Sequence, residues 1–140
     1  MKLEALRRPS LAARLVLLAA GWSLTVLLIS AVGFALLMSL ATAALSVAQA
    51  RFGALAVTVG TALGGFFDAH AASASALSLV ANGSYPADAA ILPVLLALST
   101  NTVSKITVAL IAGGPRYGLR LALGLLVILT ALWLPWLLTP

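Results

Sequence analysis

An all-α bundle of membrane-crossing helices is the fold class that this sequence predicts, and three observations carry it. Of 140 residues, 63% are hydrophobic and 8% charged, where an average soluble domain has roughly 25% charged residues. Mean hydropathy is +1.17. Uncharged stretches long enough to cross a bilayer recur along the chain, and Lys and Arg gather in short flanks beside them. Residues 1–140 read as a single transmembrane domain, with residues 1–14 as its basic cytoplasmic flank.

The first apolar run, uncharged from Leu15 to Ala50, is too long for a signal-peptide core of about 7–15 residues. As one helix it would measure about 54 Å, against a hydrocarbon core of roughly 30 Å. The division that best satisfies the positive-inside rule makes Leu11–Ala31 and Gly33–Ala50 a tight hairpin, followed by helices over Phe52–Ala81, Ala89–Ala112 and Gly118–Leu138. These are about five transmembrane helices. With Lys2, Arg7, Arg8 and Arg14 in the cytoplasm, Arg51, Arg116 and Arg120 fall on the same side, and Asn82–Asp88, which has no Lys or Arg, falls outside. The second choice keeps the long first helix and folds Phe52–Ala81 back on itself as a re-entrant hairpin at Gly64-Gly65, giving four segments and the same parity. Connectors agree with these limits: Asn82-Gly83-Ser84-Tyr85-Pro86 is rich in turn formers, and Gly113-Gly114-Pro115 closes the fourth helix.

Several classes of function are disfavoured. A pI near 10.9 would suggest nucleic acid in a soluble chain, but basic residues flanking apolar runs act as an orientation signal, so no nucleic-acid partner is expected. Cysteine is absent, which removes thiolate chemistry and cysteine-type zinc sites. With one His and neither an HExxH motif nor a phosphate-cradling loop, the chain is not expected to be an enzyme and needs no cofactor. No metal site is expected within one protomer, because one carboxylate at membrane depth falls short of an ordinary Mg²⁺ site.

Only Asp68, His70, Asp88 and Lys105 interrupt the uncharged sequence between Arg51 and Arg116. An ionisable group at membrane depth is costly and by default has a partner and a function. At 100° per residue, Ser39, Thr42, Ser46 and Gln49 share one stripe, and Asp68, Ser75, Ser78 and Asn82 share another if their helix is continuous. Asn101, Ser104 and Lys105 fall together on the next helix. Such faces should meet inside a bundle or line a wet cavity. Asp68, Asn101, Lys105, Ser75 and Ser104 are therefore the candidate polar core, with Asp68 and Lys105 coupled across helices; His70 points the other way and is added to it as a second polar contact or a proton relay. Gly60, Gly64 and Gly65 form a close-packing face. The plainer reading makes Asp68 and Lys105 a structural ion pair, or lets Lys105 snorkel to the surface.

From about Gly33 to Leu138 the sequence resembles the C-terminal half of a bacterial integral membrane family, domain of unknown function 4010, often labelled MgtC/SapB-like. The likeness is carried by Ala50-Arg51-Phe52-Gly53, by Leu63-Gly64-Gly65-Phe66-Phe67-Asp68-Ala69-His70-Ala71-Ala72, by Ser99-Thr100-Asn101-Thr102-Val103-Ser104-Lys105, and by Gly113-Gly114-Pro115-Arg116-Tyr117. The resemblance implies a multi-pass protein of the bacterial inner membrane. Members are generally longer, with a diverged upstream copy, so it also implies a partner in the bilayer: a homodimer or a homologous membrane half. It assigns no reaction or ligand, and the magnesium association of the label assigns none either. The residues themselves leave two functions open. One is an ion or small-solute transporter or channel component handling a cation or proton at Asp68; the other is a structural or regulatory membrane subunit whose buried charges set helix packing.

Overall fold

A computed structural model describes residues 10–139, which are helical almost throughout and include no strand. The helices are α1 (Leu11–Phe52), α2 (Ala54–Gly65), α3 (Ala69–Ala81), α4 (Ile91–Gly113) and α5 (Pro115–Leu138), and a 3₁₀ turn at Asp88–Ala90 leads into α4. The all-α class is confirmed. Lys2, Arg7 and Arg8 of the expected cytoplasmic flank lie outside the described residues. The helices α1 and α5, and α4 together with its leading turn, are long and apolar enough to cross a membrane.

Two compact units divide the chain, residues 1–37 and 38–140. In the first, the helical residues Leu11–Leu37 expose nearly all their apolar side chains. Two of its hydroxyls are turned onto their own helix: Ser23 Oγ donates to the Ala19 carbonyl and Thr25 Oγ1 to that of Gly21, both at 2.9 Å. That removes unsatisfied donors from a surface suited to lipid.

In the second unit α4 is central, packing against α2, α3 and α5. Val57 of α2 shares one buried cluster with Ala76 and Leu79 of α3, so the beginning of α2 meets the end of α3 and the two run antiparallel. Leu45, Tyr85 and Ala90 complete that cluster.

The preferred hairpin between Leu11–Ala31 and Gly33–Ala50 is not present: α1 is a single helix of 42 residues. A tight turn needs residues that leave the helical region, and positive φ occurs only at Gly53, Gly83 and Gly114 among the described residues. Gly33 stays helical inside α1. The chain turns instead at Gly53 (φ 72°). The continuous helix expected over Phe52–Ala81 is likewise broken, into α2 and α3, at Phe66–Asp68. This is the arrangement that placed a folded-back pair at Gly64-Gly65.

Gln49 Nε2 donates to the Ser84 carbonyl at 2.6 Å, joining the end of α1 to the loop after α3. Both ends of the α2–α3 hairpin therefore lie together, whereas the five-helix division would have put Arg51 and Ser84 on opposite faces of the membrane. In a chain without native cysteine, Arg51→Cys and Ser84→Cys should react with an impermeant maleimide from the same side of sealed vesicles. Labelling from opposite sides would overturn the hairpin.

Candidate functional site

Three features surround the hairpin: its tip, a cleft beside the tip, and a hydroxyl-lined cleft at its base. Glycine makes the tip possible. A Cβ on Gly64 would approach that of Ala72 to 3.1 Å, so the two arms touch there. A Cβ on Gly65 would collide with the Ala97 carbonyl oxygen and Thr100 Oγ1 and come within 2.6 Å of Ala97 Cα. Thr100 Oγ1 donates to the Ala62 carbonyl at 2.7 Å, fastening α2 to α4 at the same level. Gly60 itself stays exposed, although a Cβ added there would meet Leu45 Cδ1 at 2.9 Å. Of the three glycines predicted as a packing face, Gly64 and Gly65 thus pack against this chain's own α3 and α4.

The tip meets α4 just before its midpoint. With 12 and 13 residues, α2 and α3 are about 18 and 20 Å long, too short to cross a hydrocarbon core of roughly 30 Å. Non-helical backbone at such a place must be answered from within the protein. Here Phe66 N–H donates to Leu63 O, Phe67 and Asp68 N–H donate to Gly64 O, and the N–H groups of His70 and Ala71 go to a side chain.

That side chain is Asp68, the N-cap of α3. Its Oδ1 accepts from the backbone N–H of His70 at 2.8 Å and of Ala71 at 3.3 Å. The expected coupling of Asp68 to Lys105 is not formed as a direct ion pair among the described residues. The reason is local: two N–H groups at a helix start lie within one turn of the carboxylate and need an acceptor, whereas Lys105 belongs to another helix. His70 is exposed on the first turn of α3 and lines neither cleft.

Asn101, Ser104 and Lys105 are brought together as their spacing predicts. They line a cleft of about 590 Å³ between the hairpin tip, α4 and α5, with the rings of Phe66, Phe67 and Tyr117 on its other walls. Lys105 is exposed and Asn101 half-buried. The three aromatic residues are members of this site that helical periodicity does not reveal. The Phe66-Phe67 pair sits in the helix break and Tyr117 follows a turn, where a face cannot be projected.

At the base of the hairpin, Ser39, Thr42 and Ser46 of α1 and Ser78, Asn82 and Ser84 line an open cleft of about 630 Å³. Ser39, Thr42 and Ser46 of the first predicted stripe thus meet Ser78 and Asn82 of the second, whereas Asp68 and Ser75, expected on the same face of a continuous helix, do not line this cleft. Ser46 and Ser78 donate to their own helix, to Ala43 O at 3.2 Å and Ala74 O at 2.8 Å, which leaves their oxygen lone pairs free to accept. Ser75 lies elsewhere, buried at 2% exposure with its hydroxyl unpartnered, as is that of Thr61 at 1%.

No curated protein and no solved structure matches the chain significantly. The profile of the family described as "Domain of unknown function (DUF4010)" matches residues 23–113, well over half of the 140, from within α1 to the last residue of α4. That stretch contains the hairpin, its tip and the polar face of α4, and the chain is a member of this family.

Proposed function

We propose that this membrane protein is a component of an ion or small-solute transporter or channel, with a cation or proton passing the hairpin tip at Asp68. One observation carries the reading: the helix interruption at Phe66–Asp68 is seated halfway along α4 and places a carboxylate there. With α4 crossing the bilayer, that position lies near the midplane, where transporters bring the ends of discontinuous helices. An ionisable group there marks a functional site by default. The hydroxyl-lined cleft reaches the base of the hairpin and gives a polar solute a point of access. The site requires no cofactor.

The protein crosses the inner membrane three times through α1, α4 and α5, with α2–α3 re-entrant and the N-terminus cytoplasmic. This keeps Arg116 and Arg120 on the cytoplasmic side with Arg14 and puts Arg51 with Asn82–Asp88 outside.

Purified protein in sealed liposomes should give cation- or proton-dependent flux, and Asp68→Asn with Lys105→Gln should abolish it while the helical content is unchanged. Equal flux from the double variant would remove Asp68 and Lys105 from the pathway. An inert parent would favour the second reading, a structural or regulatory subunit. That reading draws on the engagement of Asp68 in the α3 cap. Its partner would be a second copy or a homologous membrane half.

A further inference from the structure

We propose that the cleft beside the hairpin tip binds a small organic monoanion with an apolar body, of the aromatic carboxylate type, through Lys105. The inference shares the membrane placement given above but does not depend on transport.

The charge in the cleft has one sign. Lys105 is its only charged lining residue, and no Asp or Glu belongs to the lining. Asp68 is next in sequence to Phe67, yet its Oδ1 accepts from the α3 N-terminus. Lys105 has no carboxylate within 4.0 Å among the described residues. Beside it, the Asn101 amide and Ser104 hydroxyl make no hydrogen bond to any described residue. Positions 101, 104 and 105 lie within a turn and a quarter, so an ammonium, an amide and a hydroxyl converge with donors to offer. A carboxylate, with two acceptor oxygens, meets that set; a cation does not.

The remaining walls select the body of the ligand. Phe66, Phe67 and Tyr117 contribute rings, and aliphatic side chains of α4 and α5 complete the lining. A hydrated inorganic anion would leave this surface wet, whereas an aromatic or short aliphatic group covers it. A volume of about 590 Å³ lies within the range of small-molecule sites, roughly 300–1,000 Å³. Arg116 and Arg120, exposed on the first two turns of α5, add positive potential at the same end of the bundle and steer anions towards it.

The test uses the full chain in phosphatidylcholine nanodiscs and saturation-transfer NMR, with benzoate, benzamide and benzylamine as probes. Benzoate should bind saturably, benzamide roughly tenfold or more weakly because the charge-assisted bond is lost, and benzylamine not at all. Lys105→Gln should weaken benzoate by a similar factor and Lys105→Arg should retain it. Equal binding of benzoate and benzamide to the parent would overturn the proposal without any variant, as would undiminished benzoate binding by Lys105→Gln. Displacement of benzoate by equimolar inorganic phosphate would overturn the apolar-body requirement. Loss of benzoate binding when phosphatidylglycerol is added to the nanodisc would assign the cleft to a lipid headgroup and overturn the solute assignment. Absence of flux in liposomes would leave all these outcomes unchanged, so the two proposals fail separately.

Discussion

Replacing Gly65 by alanine should destabilise the protein by about 3 kcal/mol, the upper part of the range for forcing extra atoms into packed structure. The added methyl would meet backbone as well as a side chain, namely the Ala97 carbonyl and Cα together with Thr100 Oγ1. A side-chain tip can rotate away, but the backbone of a central helix cannot, so α2 must lift off α4. The Thr100–Ala62 hydrogen bond would then be lost as well. Two other glycines act as controls. Gly60→Ala meets only Leu45 Cδ1, at 2.9 Å, the movable end of a flexible side chain, and Gly33→Ala meets nothing within 4 Å. The first should cost under about 1 kcal/mol, and the second should be neutral or slightly stabilising. Unfolding in mixed micelles titrated with SDS ranks the three. Gly65→Ala as stable as Gly33→Ala would show that the hairpin does not seat on α4.

At Asp68, two substitutions separate structure from charge. Asparagine caps a helix about as well as aspartate and alanine does not, so Asp68→Ala should lose about 1 kcal/mol while Asp68→Asn stays close to the parent. The cost of the alanine variant arises at the hairpin tip, where the His70 and Ala71 N–H groups would lose their shared acceptor. Flux should order the variants differently. If Asp68 handles a cation or proton, Asp68→Asn loses transport although its stability is kept; if Asp68 only caps α3, Asp68→Asn transports like the parent. The same micelle titration and a liposome flux assay on both variants give the answer.

The helical class, the turns around Gly83 and Gly114, and the clustering of Asn101, Ser104 and Lys105 were legible because they depend on local chemistry and on the 100° period. The polar stripes of α1 and α3 were also readable as faces needing company. The division of the first run was not: loop charges favour an odd number of crossings before the Asn82–Asp88 loop, and a re-entrant pair satisfies that count as well as an extra hairpin does. What distinguishes them is backbone conformation that the neighbouring residues do not announce: Gly33 stays helical, whereas Gly53 takes φ 72° and the helix is interrupted at Phe66–Asp68. The Asp68–Lys105 pair failed for a related reason. Placing both on continuous helices made them neighbours across an interface, but the break turned Asp68 into a cap, and no periodicity predicts where a broken helix sends its first side chain.

The shortness of the hairpin also bears on how the protein is made. α2 and α3 leave the ribosome before α4, yet neither is long enough to be accepted as a membrane span, and Gly65 has no seat until Ala97 and Thr100 have been synthesised. Until then the two segments must wait at the membrane surface or in the insertion machinery, held near the end of α1 by Gly53 and the short chain that follows. With the re-entrant placement proposed above, insertion of α4 is the step expected to draw the hairpin inward. Truncated chains released from the ribosome and ending before residue 97 should leave residues 54–81 open to protease, and released chains extending past residue 113 should protect them.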